Sequence, residues 1–277
     1  MVVVFLVTAV VLDMPIAFWL PLGAMAGLSL RGDQVEISPK LRLPMHFILM
    51  GILVMGTRAS LYPDIPRLFI ALFWIIFIVG TANFYNFMDG INGIAGISGV
   101  VGFGLLAFVT FKDQPKIGLV ATCMALACLG FLPFNLPRAR VFMGDVGSIL
   151  LGGVFAGLVY LASRTPLDFL CMISFLFPFY ADELTTMVVR LRAGENPIQA
   201  HRRHIYQLLA NERQIPHWRI SGGYGFFQFL VGVSAITSKA LGFAAMLAVL
   251  ISWIVLFVIG GFYVRRKAAA GFLPPLP

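Results

Sequence analysis

The stretch "NFYNFMDGINGIAG", residues 83–96, ends one long apolar run and begins another. Asn83, Asn86, Asp89 and Asn92 stand in it together with Gly90, Gly93 and Gly96. Asn, Asp and Gly all stop helices and build turns, so one or two of them would separate two helices. The rest of the cluster asks for another purpose. The apolar runs at roughly 67–85 and 91–111 approach the ~20 residues that a helix needs to cross a bilayer. Within lipid, backbone polar groups must be satisfied inside the protein, and a breakpoint between two spans can present donors and acceptors to a ligand without stranding them. The fold class read from this seam is all-α, a polytopic integral membrane protein.

Composition agrees. Hydrophobic residues make up 60% of the 277 and charged residues 12%, against about 45–50% and ~25% in soluble domains. Apolar runs broken by polar turns give about ten spans, at roughly 1–12, 15–30, 44–58, 67–85, 91–111, 117–135, 148–163, 166–189, 222–238 and 243–264. The first is the weakest, and it lacks the basic start of a signal peptide. Cys123, Cys128 and Cys171 lie inside apolar runs and read as small buried hydrophobes. No soluble domain or repeat is legible, so residues 1–277 read as a single membrane-embedded domain. The net charge of +8 points to anionic lipid headgroups at a bilayer, with no nucleic acid as partner.

Alternating the loops puts fourteen of the 20 basic residues on one side, among them Arg31, Lys40, Arg42, Arg138, Arg140, Arg190, Arg202, Arg203 and Arg265. The other six, Arg58, Arg67, Lys112, Lys116, Arg164 and Lys239, fall opposite. That bias assigns the first side to the cytoplasm of a bacterial inner membrane. The same side collects Asp33, Asp89, Asp145, His201 and His204, whereas Asp64, Asp113 and Asp168 go to short opposite loops.

Carboxylates at a membrane boundary are costly and face a cavity, a partner or an ion. With few thiols or imidazoles near them they suit Mg²⁺ or Mn²⁺, which take one or two carboxylates and complete their shell with water and phosphate oxygens. "FMGDVGS" (142–148) fits that use: glycines flank Asp145, and Ser148 is placed to cap the following helix, whose N-terminus favours an anion. "HRRH" (201–204) would put His201 and His204 on one helical face at i, i+3, with Arg202 and Arg203 completing a cluster of phosphate donors. These parts together suit phosphoryl transfer at a membrane surface, which needs positioning and charge neutralisation more than a special nucleophile.

"NFYNFMDGINGIAG", "VFMGDVGSILLG" (141–152) and "AHRRHIYQLL" (200–209), in that order, resemble the polyprenyl-phosphate N-acetylhexosamine-1-phosphate transferases of glycosyltransferase family 4. The form of the last motif is closer to the branch that initiates O-antigen and common antigen than to the peptidoglycan branch. The resemblance implies a sugar 1-phosphate passing from a UDP-N-acetylhexosamine to undecaprenyl phosphate, with Mg²⁺ and release of UMP. It implies Asp145 as metal ligand and Asn83, Asn86, Asp89 and Asn92 around the nucleotide and diphosphate. His201, Arg202, Arg203 and His204 would hold phosphate or sugar, and Asp182 in "PFYADELTT" (178–186) would lie near the uridine side or behind the first ligands. Asp33 would position or deprotonate the lipid phosphate.

Two departures stand out. In "RGDQVEISPKLRL" (31–43) Gly32 occupies the place of the first of a paired aspartate. The chain also begins after the first helix of that family. Both motivate an alternative, a catalytically degenerate membrane paralogue acting as scaffold or lipid-binding protein. Small residues in "GGVFAG" (152–157) could pair two copies into a homodimer.

Overall fold

The structure is a computed structural model and describes residues 1–35, 38–57, 67–195 and 202–270. Those residues form helices α1 (Val2–Val11), α2 (Ile16–Gln34), α3 (Pro39–Thr57), α4 (Arg67–Met88), α5 (Ile94–Thr110), α6 (Pro115–Asn135), α7 (Gly144–Ala162), α8 (Pro166–Ile173), α9 (Phe177–Arg192), α10 (Ile205–Asn211), α11 (His217–Lys239) and α12 (Phe243–Ala270). No strand occurs among the described residues. Six helices, α3, α4, α6, α7, α11 and α12, are long and apolar enough to cross a membrane. Large apolar side chains such as Phe69, Ile259 and Phe262 point outward, each more than 60% exposed. Such a surface belongs in lipid, and the chain is an integral membrane protein.

Helix α7 is the axle of the bundle, lying between α4 and α2. Nearly every residue from Gly147 to Ala162 is buried. Glycines let it approach its neighbours closely: a Cβ at Gly152 would stand 2.7 Å from the Ala82 Cα and the Thr81 carbonyl on α4, and one at Gly157 would meet the Phe18 ring on α2 at 3.0 Å. The "GGVFAG" stripe is therefore consumed inside the chain. It is not the face on which two copies could pair, and that expectation is corrected.

The apolar run at 166–189 is broken in the middle. Helix α8 ends at Ile173, a 3-10 turn covers Ser174–Leu176, and α9 restarts with Pro178 in its first turn. Proline has no N–H to continue the ladder. The Gln228 amide on α11 fills the gap, donating to the Phe175 carbonyl at 2.6 Å and to the Ser98 carbonyl at 2.9 Å. Hydropathy alone cannot see this elbow, because Ser174 is its one polar residue and apolar residues flank it on both sides.

The acidic residues gather in two separate places. Asp33, Asp89 and Asp145 gather at one end of the bundle, as shown below. Asp113 and Asp168 share a small recess at a different place with Arg164 and Lys239. There Asp168 forms a capping box with Thr165 and an ion pair with Lys239. Asp64 lies outside the described residues.

Candidate active site

A cleft of about 280 Å³ opens where α4 and α6 end and α7 begins, lined by Asn86, Asp89, Asn92, Asn135, Gly144 and Asp145 among others. Its walls are held by short-range chemistry that the sequence dictates. Gly93 adopts φ +85°, a left-handed conformation that glycine tolerates at no steric cost. Its N–H donates to Asn135 Oδ1, and the Asn135 amide donates to the Val141 carbonyl at 2.9 Å, tying the seam at 89–93 to the loop before α7. Asn92 is held through its backbone: its N–H donates to His217 Nδ1 at 3.3 Å and its carbonyl accepts from Ser221 Oγ at 2.8 Å.

Asp145 stands in the first turn of α7, one-third exposed, and its Oδ2 accepts from Arg42 Nη1 at 2.5 Å. Sequence reasoning counted Arg42 only as a topological charge. It stands in the first turn of α3, whereas Asp33 closes α2, and no local feature of the sequence sets it apart from the other basic residues. Asp33 Oδ2 lies 3.4 Å from the Val146 N–H, over the start of the same helix. A carboxylate thus occupies the place where a helix N-terminus attracts anions. Ser148 was expected to cap α7 and does not. It donates to Asn86 Oδ1 at 2.6 Å, linking α7 to α4, and also lies within reach of the Gly144 carbonyl at 3.0 Å.

Asp89 lies just past the end of α4 and lines the cleft with Asp145. Removal from water, and secondarily the Asp145 charge, push its carboxyl up to about 7. A carboxyl raised by folding favours the folded state fully below its ordinary value of 3.8, and that contribution is lost as pH rises through about 7. In the presence of a chelator, the melting temperature of the detergent-solubilised protein should therefore fall between about pH 4 and pH 7. Asp89→Asn should flatten that slope. A wild-type profile already flat across the window would contradict the raised carboxyl of Asp89.

Other expected site residues sit elsewhere. Asn83 donates to the Val79 carbonyl one turn back in α4, at 2.7 Å, and does not line the cleft. Asp182 is fully buried on α9 and acts as a staple: it accepts from Ile205 N–H at 2.9 Å, Tyr224 OH at 2.8 Å and Thr186 Oγ1 at 3.1 Å. It thereby caps α10 from another helix, and it does not line the cleft. His204 is buried as well. It is the N-cap of α10 with extended backbone, 2% exposed, between Asp182 at 3.8 Å and Glu183 at 3.3 Å. Arg202 and Arg203 precede it outside any helix, so the expected i, i+3 face does not form. Both arginines are exposed, and Arg203 pairs with Glu195. His201 lies outside the described residues.

Helix α10 rests on the rim of the cleft through Tyr206. The Tyr206 hydroxyl donates to the Phe87 carbonyl at 3.0 Å, and a Cβ at Gly90 would meet that hydroxyl at 2.2 Å. Gly90 is needed so that α10 can rest on the seam.

The sequence model of the family described as Glycosyl transferase family 4 matches residues 15–163, more than half of the chain and all of the cleft's lining. The chain belongs to glycosyl transferase family 4. Relatives carry the name phospho-N-acetylmuramoyl-pentapeptide-transferase. One from Staphylococcus epidermidis is 39% identical over 127 residues, covering 45% of this chain and 38% of the relative. One from Staphylococcus haemolyticus is 46% identical over 95 residues, covering 34% and 30%. One from Bifidobacterium animalis subsp. lactis is 48% identical over 62 residues, covering 22% and 16%. The aligned part of the chain spans well under half the length of these family 4 relatives. The expected leaning toward the O-antigen branch draws no support from these names.

Among the described residues no three acidic, imidazole or thiol side chains cluster as a ready metal cage. The cleft's donors are carboxylate and amide oxygens, the hard set that Mg²⁺ uses when substrate phosphates and water complete its shell. In chemical type they fit such an ion.

Proposed function

We propose that this chain transfers a sugar 1-phosphate, in our reading an N-acetylhexosamine phosphate, from a UDP-sugar to undecaprenyl phosphate. The step releases UMP and starts a lipid-linked cell-surface glycan at the cytoplasmic face of a bacterial inner membrane. One observation carries it: Asp89, Asp145 and the Arg42 guanidinium meet at one cleft, at the end of a bundle whose outer surface is made for lipid. Paired acids with a raised carboxyl call for a cation, and a guanidinium at the same mouth calls for a phosphate.

In the reaction an oxygen of the lipid phosphate attacks the sugar-bearing phosphorus of the UDP-sugar. The new P–O bond forms as the bond to the bridging oxygen breaks, and UMP leaves with that oxygen. Mg²⁺, or Mn²⁺ in its place, would neutralise the charge of the diphosphate, with Asp145 as its ligand and Asp89 beside it. Arg42, which holds Asp145, is placed to turn its fork to a phosphate oxygen. Asn86 and Asn92 offer amides to the nucleotide side. Asp33, at the start of α7, is placed to orient the lipid phosphate or take its proton, and the α7 N-terminus adds its dipole. Arg202 and Arg203 present donors from the second loop.

The reading is tested by incubating the full chain in vesicles with undecaprenyl phosphate and a panel of UDP-N-acetylhexosamines carrying label in the sugar. Label should enter lipid with at least one sugar, with UMP released in equal amount and with the rate abolished by a chelator. Lipid left unlabelled by every sugar, with the protein folded, would favour the degenerate scaffold.

A further inference from the structure

The run Arg265, Arg266 and Lys267 at the end of α12 reads in sequence as a topological anchor. The structure separates its members. Arg266 is exposed, and the Lys267 ammonium lies 4.6 Å over the Tyr263 ring. The Arg265 side chain is only 18% exposed and turns inward. Its Nη1 donates to the Arg203 carbonyl at 2.7 Å, and its Nη2 donates to Thr186 Oγ1 at 2.8 Å, with Asp182 Oδ1 4.0 Å away. One guanidinium therefore bridges α12, α9 and the loop that leads into α10.

Helix α12 is otherwise a loosely attached element, with 6% of its spanning window buried. It meets α10 nearby, where a Cβ at Gly261 would lie 2.6 Å from Ile205 Cδ1. The residue with the most directional contacts on this helix is thus the one that touches the Arg202–His204 segment. The peptide whose carbonyl Arg265 holds joins Arg203 to His204, and the next N–H is the one that Asp182 accepts. Fixing that peptide fixes where the Arg203 side chain departs from the backbone. A planar fork with several fixed donors can hold a carbonyl and a hydroxyl at a set angle, whereas an ammonium is a point charge without that geometry.

We propose that Arg265 is a positioning residue: it clamps the peptide after Arg203 so that the exposed donors Arg202 and Arg203 are presented to the phosphate-bearing substrate. The clamp deepens the transferase reading and rests on it for its kinetic consequence, but not for its structural one.

The experiment uses the full chain in vesicles and four variants: Arg265→Gln, Arg265→Lys, Thr186→Val and Arg266→Gln. Hydrogen exchange is measured at the amides of 203–206 and, as reference, at those of α7. UDP-sugar kinetics are measured in parallel. Arg265→Gln should speed exchange at 203–206 by about tenfold while α7 stays unchanged. It should raise KM for the UDP-sugar by about fivefold, with kcat affected less. Arg265→Lys should recover part of both effects, Thr186→Val should show a smaller rise in exchange, and Arg266→Gln should match the wild type. Unchanged exchange in Arg265→Gln overturns the clamp. So does a lysine variant no better than glutamine in both readouts. If Arg265→Gln does not fold, Thr186→Val decides: faster exchange at 203–206 supports the clamp, and unchanged exchange overturns it. Exchange needs no turnover, so an inactive wild type would sink the transferase reading while leaving this result to stand by itself.

Discussion

Replacing Asp145 with alanine is expected to lower UMP release by about 10³-fold or more, to the level of vesicles without protein. The size follows from what the side chain faces. It is the one acid that lines the cleft and also engages a guanidinium at its mouth. Phosphoryl transfer rests on neutralising charge that grows as the diphosphate breaks, and losing one such group commonly costs several kcal/mol of barrier. The fold should be indifferent. Asp145 is one-third exposed and its pair with Arg42 is partly solvated, which limits its contribution to stability to about 1 kcal/mol. Melting temperature and activity should therefore separate in this variant. Turnover within tenfold of wild type would remove Asp145 from the chemistry and take the metal assignment with it.

The opposite separation is expected at Asp182. This carboxylate is fully buried, and Asp182→Ala would leave the Ile205 N–H, the Tyr224 hydroxyl and the Thr186 hydroxyl without their acceptor, with His204 and Arg265 losing their nearby charge. Removing one side of such a buried charged network costs about 3–5 kcal/mol. In a chain of this size that corresponds to roughly 10 °C in melting temperature. Asp182→Asn keeps one acceptor oxygen and should lose about half as much. A melting temperature for Asp182→Ala within about 2 °C of wild type would show that the staple does not hold α10.

The two residues show which parts of this site can be read from sequence. Loop parity alone placed Asp33, Asp89 and Asp145 at one end, because every apolar run of the chain emerges as helix and parity survives small errors in length. Parity cannot say which way a side chain turns. Asp182 was placed near the uridine side or behind the first ligands by the resemblance alone, and the donors from α10 and α11 that surround it come only from the tertiary fold. His204 looked helical from the spacing of HRRH, but Gln207 follows it by three, and the His204 N–H donates to Gln207 Oε1 as in a capping box. That signal was present and outweighed by the attraction of two histidines. Arg42 was hidden by its company: among twenty basic residues, nothing local distinguishes an anchor from a functional group. The Ser174–Leu176 elbow was hidden because the apolar run continues through it and the amide that stabilises it comes from Gln228, fifty residues further on.

The Tyr206 hydroxyl bond to the Phe87 carbonyl, pressed against Gly90, has a mechanical consequence. The ridge that follows α4 and the short helix α10 share a hinge pin. A ligand that pushes residues 87–90 aside must either snap that pin or drag α10 along, and Asp182 would carry the tug into α9. Donor nucleotide and acceptor lipid, even when they touch different loops, would then feel each other through one tyrosine.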